Sequence, residues 1–412
     1  MRILLVHNFY GSSAPSGENR VVLEERDLLR SAGCEVIEHF THSDTVRDRG
    51  LFPMLGAALL TPWNSAARNR LRRRILEVAP DVMHVHNVFP LLSPSIFGAA
   101  RGTRTAVVNT LHNYRTVCPA AVPLRDGAVC TSCIDNQSVA PALRYGCYRN
   151  SRLATVPLAA SVALHRRINT YARHVDAFIA LTEFQKSVLA RGGLPARRIH
   201  VKPNCYPRAA QQVPWAERED KAVFLGRISA EKGLDTLVRA WTQWGSGAPR
   251  LEIIGDGPDL DRLRGSVRSS GRIAFLGGRP IEEAHRLLST ARLLVVPSTW
   301  FEGFPLVLCE AFAFGVPVLA SRLGTFEELV EAAGAGRLFA PGDSEDLRQV
   351  ASDLWQKPSA LERMSQAAAQ EFENRYSAAK SVDLLKSIYQ RAIRTRSATL
   401  GMAVVCPAGV TT

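Results

Sequence analysis

Short apolar runs alternate with longer amphipathic stretches along most of the chain. Residues 2–7 are continuously apolar, residues 19–32 have helical periodicity, and residues 34–40 are apolar again. This strand–helix–strand order predicts a βαβ unit. Because the alternation continues through the chain, the sequence predicts an α/β fold built on parallel sheets.

The same pattern restarts at residue 222, after a polar stretch that contains two prolines. With 412 residues and 46% hydrophobic content, the chain can build two doubly wound domains of ordinary size. The predicted organisation is an N-terminal domain over 1–206 with a Cys-rich insertion at 115–150, a linker at 207–220, a C-terminal domain over 221–375, a helix over 376–395 that returns to the first domain, and a disordered tail at 396–412.

Two carboxylates, Glu302 and Glu310, lie eight positions apart in the segment 297–320. Pro305 suits the start of a helix and Gly315 its end, so the pattern predicts a helix over 305–314. Glu310 then lies among apolar neighbours with no basic residue one turn away, and a ligand that offers two hydroxyls could pair with it. A solvated Glu302 and a core-capping Glu310 form the alternative.

The first turn of the second domain contains two cations between glycines, Gly226-Arg227 and Lys232-Gly233. Guanidinium and ammonium groups beside a helix N-terminus suit a diphosphate. Taken alone they could be surface cations. Taken with the two glutamates above, they indicate a nucleotide-sugar site.

His112 follows the predicted strand at 105–110. In a doubly wound sheet, ligands bind at the carboxyl ends of the strands, so His112 is a candidate for chemistry. A packed, hydrogen-bonded histidine is the alternative. Gly17 lies in the first strand-to-helix turn, where bare backbone could approach a phosphate, but the chain has no G-x-G-x-x-G, which argues against a dehydrogenase.

Four cysteines fall within thirty residues of the insertion: Cys118, Cys130, Cys133 and Cys147. The Cys130–Cys133 pair has the C-x2-C spacing of zinc knuckles, and four thiolates could hold a structural zinc in a segment that lacks its own core. Reduced free thiols and disulfides are the alternatives, because the outer spacings match no common zinc module.

The net charge is +13 and the pI is about 9.7, which fits nucleic acid, anionic membranes or phosphorylated small molecules as partners. Five arginines between residues 68 and 74 follow an apolar piece at 51–55, and this segment could rest on anionic lipid headgroups or form a solvated helix face. The chain shows neither an apolar run of about 18 residues nor a signal-peptide pattern. These features predict a cytoplasmic protein, with membrane association at the inner face as an extension of the same hypothesis.

Three segments of the second domain resemble the retaining GT-B glycosyltransferases of family 4. They are Gly226-Arg227 with Lys232-Gly233, the run from Ile254 to Pro258, and Pro297-Ser298 followed by Glu302-Gly303-Phe304-Pro305 and Glu310-Ala311. The first domain is similar more loosely, through residues 16–19 and the segment with His112. The insertion resembles only a subset of the family.

The resemblance implies a GT-B fold, with two Rossmann-like domains facing a cleft, and a retaining hexosyltransferase that uses a nucleotide-diphosphate sugar. It implies catalytic roles for His112, Glu302, Arg227 and Lys232. It implies donor-binding roles for Gly17, Gly226, Gly255, Gly303, Phe304, Pro305, Leu306 and Glu310. No catalytic metal is implied, so a structural zinc is the only cofactor expected.

The expected acceptor is a saccharide or a lipid-linked saccharide in surface polysaccharide or glycolipid synthesis, which is an analogy with the family. A GT-B-type nucleotide-sugar 2-epimerase is one alternative, since it would use the same nucleotide site without an acceptor. A basic, Cys-cluster nucleic-acid-binding protein is the other. That alternative leaves Glu302 and Glu310 unexplained, and the arginine run lacks interleaved aromatic residues for base stacking, so nucleic acid is not an expected partner.

Overall fold

The computed structural model describes residues 1–10, 17–44, 51–208, 210–267 and 271–405. The chain divides into two compact units. The first comprises Met1–Val122, Thr131–Lys202 and Ser381–Thr412, and the second comprises Pro123–Cys130 and Pro203–Lys380. The observed boundary between the two sheets therefore lies at Lys202/Pro203, and the last segment of the chain belongs to the first unit.

The first unit contains a six-stranded parallel sheet with strand order β2-β1-β3-β4-β7-β8. Its strands are β1 (Arg2–Phe9), β2 (Glu35–His42), β3 (Val82–Val85), β4 (Ala106–Thr110), β7 (Ala177–Ala180) and β8 (Ile199–Val201). Strands β1, β3, β4 and β7 are buried along nearly their whole length, which explains their continuous apolar sequences. The strand order reverses between β1 and β3.

Helices connect these strands and cover the sheet. They are α1 (Gly17–Ser31), α2 (Leu51–Leu60), α3 (Ser65–Val78), α4 (Ser132–Asp135), α5 (Ala140–Tyr145), α6 (Arg152–Arg167), α7 (Thr170–His174) and α8 (Glu183–Arg191), with a 3-10 turn at Pro94–Ala100. Helix α3 turns Ala67, Leu71 and Ile75 inward. Its N-cap, Asn64, accepts a hydrogen bond from the Ala67 N–H at 2.9 Å, which satisfies a free donor of the first turn.

The second unit contains a six-stranded parallel sheet of the same type, with strand order β11-β10-β9-β12-β13-β14. Its strands are β9 (Glu219–Leu225), β10 (Arg250–Ile254), β11 (Ile273–Gly277), β12 (Ala291–Val296), β13 (Val318–Ser321) and β14 (Gly336–Phe339), and a small hairpin pairs β5 (Leu124–Arg125) with β6 (Ala128–Val129). Its helices are α9 (Leu234–Trp244), α10 (Leu260–Ser266), α11 (Ile281–Ser289), α12 (Leu306–Ala313), α13 (Ser344–Trp355) and α14 (Pro358–Glu371). Here the strand order reverses between β9 and β12.

The final helix, α15 (Ala378–Val405), is longer than the sequence predicts. The prediction of a disordered tail from residue 396 is wrong for residues 396–405, whereas 406–412 lie outside the described residues. The physical reason is Arg396, which is buried and pairs with Asp176 at 2.8 Å. Leu385, Ile388 and Tyr389 of the same helix join the apolar core of the first unit.

Candidate active site

The loops that carry the sequence-predicted donor residues meet at the switch point of the second sheet. Strands β9 and β12 are hydrogen-bonded neighbours whose helical connections lie on opposite sides of the sheet. The loop after β9 contains Arg227 and Lys232, and the loop after β12 contains Glu302. In open α/β sheets a ligand binds outside the carboxyl ends of the strands at such a point. The topology thus gathers residues that are about seventy positions apart in sequence.

Two glycines allow these loops to approach one another closely. Gly233 has a φ of +70°, and a Cβ placed on it would lie 1.9 Å from the carbonyl oxygen of Pro297. Gly255 has a φ of +148°, and a Cβ there would lie 1.8 Å from the carbonyl oxygen of Gly226. Any side chain at either position would push the loops apart, so bare backbone is a steric requirement of this edge of the sheet.

Lys232 and Glu302 form a direct ion pair in this site. The Lys232 ammonium donates to Glu302 Oε1 at 2.6 Å. The same oxygen accepts from the Ser298 hydroxyl at 2.8 Å and from Trp300 Nε1 at 3.1 Å. Glu302 is buried, so the alternative of a solvated loop glutamate is wrong. Arg227, by contrast, is an exposed side chain of the neighbouring loop.

Glu310 lies on helix α12, is 3% exposed, and has a histidine partner from another helix. His285 Nε2 of helix α11 is 3.3 Å from Glu310 Oε1, and the Tyr206 hydroxyl is 3.4 Å from His285 Nδ1. The sequence shows no basic residue within one helical turn of Glu310 on its own helix. It cannot show a partner that comes from another helix. Tertiary packing brings the imidazole in from a segment twenty-five residues earlier.

Backbone contacts fix the loop 303–306, which the sequence assigns to donor binding. The Asn204 amide donates to the carbonyl oxygen of Phe304 at 3.2 Å, and the Thr325 hydroxyl donates to the carbonyl oxygen of Glu302 at 2.8 Å. Gly303, Phe304 and Pro305 are buried. Pro305 caps the helix and Leu306 begins it, close to the predicted start at 305. Sequence reasoning assigned no role to Ser298, Trp300, Asn204, Thr325 or His285. Ser298 and Trp300 lie in the same loop as Glu302, whereas only the tertiary structure connects Asn204, Thr325 and His285 to the glutamates and their loop.

In the first unit, His112 lies just after β4 and is half-buried. It lines a cavity together with Asn87, Phe89, Asn109 and Arg115. Burial first, and then the neighbouring His86 and His7, hold the pKa of His112 well below its usual range. His112 is therefore a neutral hydrogen-bonding group at physiological pH.

Gly17 is the first residue of helix α1 and is exposed. The turn residues 11–16, which precede it, lie outside the described residues. Bare backbone at the amino end of a helix is a suitable position for a phosphate or a sugar hydroxyl. The sequence predicts Gly17 in the turn before a helix over 19–32, whereas the structure makes Gly17 the first residue of that helix and adds no contact that would assign it a role.

None of the insertion cysteines Cys118, Cys130, Cys133 and Cys147 forms a disulfide bond. Cys118 and Cys133 are buried. Burial first, and then the nearby Cys133 and Cys147, raise the pKa of Cys118 to about 12. Cys118 therefore lies near Cys133 and Cys147 in the first unit, but among the described residues no three of these thiols lie within 4.8 Å of one another, and Cys130 ends the hairpin segment that belongs to the second unit.

Two family models match the chain in succession. Residues 15–208 match the model described as Glycosyltransferase Family 4, and residues 207–371 match the model described as Glycosyl transferases group 1. Together they span residues 15–371, which include every donor-site residue described above. The fold and the site therefore define a glycosyltransferase-type protein. The chain belongs to family 4 of the GT-B glycosyltransferases, as its resemblance predicts.

Individual relatives agree with this assignment. The chain is 30% identical over 196 residues to the lipopolysaccharide 1,6-galactosyltransferase of Salmonella typhimurium, a match that covers 44% of this chain and 52% of the relative. It is 25% identical over 358 residues to the phosphatidyl-myo-inositol mannosyltransferase of Mycolicibacterium smegmatis, with 82% and 81% covered. Across several curated relatives, the match spans 25% to 61% of the relative's own length.

A solved structure supports the fold. The Anabaena protein HepE, crystallised in complex with UDP, superposes with a TM-score of 0.61 at 18% identity, covering 97% of this chain and 100% of that one. At this level of identity the likeness concerns the arrangement of the elements alone. The predicted pair of doubly wound domains is thus confirmed.

Proposed function

We propose that the protein transfers a hexose from a nucleotide-diphosphate sugar to a saccharide or a lipid-linked saccharide, with retention of the anomeric configuration. The observation that carries this proposal is the ion pair of Lys232 and Glu302 at the switch point of the second sheet, together with the buried carboxylate of Glu310 on the helix that follows the same loop. A cation with two acids suits a donor that has an anionic diphosphate in the middle and hydroxyl-bearing sugars on both sides of it.

The residues divide the donor between them in this proposal. Lys232 and the exposed Arg227 bind the diphosphate, and Lys232 exchanges the Glu302 carboxylate for a phosphate oxygen when the donor arrives. Glu302, still held by Ser298 and Trp300, then accepts hydrogen bonds from the hydroxyls of the transferred sugar. Glu310, with one oxygen beside His285, accepts from the ribose hydroxyls. Charged hydrogen bonds of this kind contribute about 1.5–3 kcal/mol each.

Bond cleavage places negative charge on the departing diphosphate, and the two cations with the loop backbone stabilise that charge in a site that excludes water. The anomeric carbon becomes oxocarbenium-like. The departing phosphate oxygen takes the proton of the incoming acceptor hydroxyl on the same face, so the new bond forms where the old one broke. This arrangement needs no catalytic metal, because the positive charge of the side chains replaces it.

A thermal-shift screen with UDP-, GDP- and ADP-sugars tests donor binding, because a ligand that binds the folded state raises the melting temperature. NMR of the product then reports the anomeric configuration, and a parallel reaction in EDTA tests metal independence. We expect a shift with one nucleotide class, retention, and full activity in EDTA. An inverted product, or strict dependence on an added divalent metal, would contradict the mechanism. Release of a new sugar isomer from the donor alone would instead favour the 2-epimerase.

We also propose that the first unit rests on an anionic membrane surface, where a lipid-linked acceptor would be found. Helix α2 exposes Leu59 by 82% and Leu55 by 54%, and Trp63 beyond it is 37% exposed. Helix α3 exposes Arg70 and Arg73. Apolar side chains beside arginines suit the boundary between acyl chains and anionic headgroups. Among the described residues, no helix is long and apolar enough to cross a bilayer.

Sedimentation with anionic and with neutral lipid vesicles tests this surface. We expect binding to anionic vesicles that weakens with salt, and loss of binding in Arg70→Glu/Arg73→Glu. Arg337→Glu is the matched control, because Arg337 is an exposed arginine on strand β14 of the second unit. Equal binding to neutral vesicles, or equal loss in the control variant, would contradict the proposal.

The structural zinc remains a proposal as well, supported by the position of Cys118 near Cys133 and Cys147. A thiol that is neutral in isolation becomes a thiolate when a metal replaces its proton. Metal analysis of the purified protein should find one zinc per chain. Cys133→Ser should lose it and Cys34→Ser, a buried free thiol elsewhere, should keep it. A metal-free, fully folded wild-type protein would contradict the proposal.

A further inference from the structure

A chain of polar groups lies directly behind His112 in the first unit. His112 Nε2 is 2.9 Å from His86 Nδ1, and His86 Nε2 is 3.2 Å from Glu25 Oε1. The other oxygen of Glu25 accepts from the Lys202 ammonium at 3.0 Å. Glu25, His86 and Lys202 are buried. Helix α1 and the ends of β3, β4 and β8 supply one member each, so the sheet edge itself assembles the chain.

The charges of Glu25 and Lys202, at the end of the chain away from His112, determine which atoms donate and which accept in these contacts. Burial acts to raise the pKa of Glu25, but Lys202, His86 and His84 outweigh it and hold that pKa well below its usual range. Glu25 is therefore a carboxylate, which only accepts. His86 Nε2 is the ring nitrogen that faces this carboxylate, so a neutral His86 carries its proton there and leaves its Nδ1 as an acceptor. His112 then donates its Nε2–H to that acceptor, and its own Nδ1 keeps the lone pair.

A metal ion is the obvious competing occupant, because ligand atoms of Glu25, His84 and His86 lie within 4.8 Å of one another. Lys202 already supplies the positive charge that this carboxylate requires. Both nitrogens of His84 also have protein partners, since Nε2 is 2.8 Å from the Thr110 hydroxyl and Nδ1 is 2.7 Å from the Tyr389 hydroxyl. The cluster is a paired hydrogen-bond network that has its cation built in.

We propose that Glu25 and His86 are positioning residues that hold His112 in a single tautomer, with Nδ1 as a hydrogen-bond acceptor for a hydroxyl group of the bound sugar. This inference rests on the proposed function through the contact of His112 with substrate. Because its pKa is low, His112 accepts that hydrogen bond without taking up the proton. It therefore orients the substrate and does not act as a general base.

The tautomer can be measured without any substrate, in the full chain labelled with 15N-histidine. Two-bond correlations between ring nitrogens and carbon-bound protons separate protonated from bare nitrogens. We expect a protonated Nε2 and a bare Nδ1 on His112 of the wild type, a mixture of tautomers in Glu25→Gln, and a changed pattern in His86→Phe. His84→Gln is the matched control, since His84 is equally buried beside Glu25 but forms its hydrogen bonds with Thr110 and Tyr389 and not with His112. The His112 pattern of this variant should match the wild type.

Steady-state kinetics provide the second measurement. Outer partners of functional histidines typically contribute ten- to a hundredfold. We expect kcat to fall by that range in Glu25→Gln and His86→Phe, with the KM for the donor nearly unchanged, because the nucleotide contacts lie in the second unit. Circular dichroism of each variant confirms folding. Wild-type tautomer and kcat in Glu25→Gln would overturn the inference. Normal donor binding with a wild-type rate in His112→Ala would instead remove His112 from the proposed function.

Discussion

Both sheets are parallel, have six strands and contain one point where the strand order reverses, but they use these switch points in different ways. At the switch point of the first sheet, buried histidines and a Glu25–Lys202 pair satisfy one another, and His112 lies at the end of the network. At that of the second sheet, glycines bring loops together around Lys232 and Glu302. The first arrangement positions one neutral group. The second arrangement holds a Lys232–Glu302 pair whose ammonium group can bind an anionic ligand in place of the carboxylate.

The comparison shows that a charged pair can either stabilise the fold, as Glu25–Lys202 does, or be available to a ligand, as Lys232–Glu302 is. The Glu25–Lys202 pair is buried on both sides, with side chains 7% and 5% exposed, so breaking it would leave a charge without water or partner. The Lys232 side chain is 24% exposed, so it can leave Glu302 for a phosphate. The solvent exposure of the lysine side chain therefore distinguishes the structural pair from the functional pair better than the N–O distance within each pair does.

The largest expected effect comes from Lys232→Ala. Removing one group that stabilises developing negative charge typically lowers kcat by about a hundred- to a thousandfold. Steady-state kinetics with the identified donor measure this loss of kcat. Lys357→Ala is the control, because Lys357 is an exposed lysine of the same unit. If both variants turn over at the wild-type rate, Lys232 has no part in the reaction and the contrast between the two pairs is lost.

Glu310→Ala should weaken donor binding by about ten- to a hundredfold, the loss expected for a charged hydrogen bond. Its effect on kcat at saturating donor should be small, because the ribose lies away from the reacting carbon. Isothermal titration with the donor measures the affinity. Glu331→Ala, which removes an exposed glutamate paired with Arg322, should bind normally. An unchanged affinity in Glu310→Ala would remove Glu310 from the site.

Gly233→Ala should lower both the melting temperature and donor affinity by more than Gly245→Ala does. Both glycines have a φ of +70°, a value that disfavours any side chain, so both variants incur backbone strain. Only Gly233 has a backbone atom in the way, the Pro297 carbonyl oxygen, whereas a Cβ on Gly245 meets nothing within 4 Å. Equal shifts in the two variants would show that the loops yield easily and that close approach is not what the site requires.

The smallest predicted effect is a difference in acid sensitivity. Nine of the ten histidines lie in the first unit, and His285 lies in the second. Burial first lowers the pKa of His7 to about 3, and it also lowers the pKa values of His84 and His112. Such a group stays neutral in the folded chain while the unfolded chain takes up a proton. Stability therefore falls as the pH drops from about 6.5 towards 3.

The first unit should consequently loosen before the second on mild acidification. Five of the six tryptophans, all except Trp63, lie in the second unit and report on it by fluorescence, while limited proteolysis reports on both. Between pH 7 and 5 we expect new cleavage in the first unit with little change in fluorescence. His7→Gln should reduce that cleavage. Simultaneous loss of both units would contradict the difference between them.

The local pattern of the chain determined much of this molecule. Apolar strands, amphipathic helices and the turns with Gly226, Lys232 and Pro305 were enough to predict two doubly wound domains and the segments that carry the donor-site residues. These features are readable because helix period, strand burial and turn chemistry act within a few residues. The family resemblance added roles for those residues.

Tertiary structure alone decided which side chains support them. Glu302 is paired with Lys232, and His112 is backed by His86, which in turn faces Glu25. The length of the last helix was decided in the same way, by a buried pair between Arg396 and Asp176. Each of these depends on the order and register of strands. A contact between residues far apart in sequence leaves no local pattern, because the fold, and not the spacing, sets the distance between the two atoms.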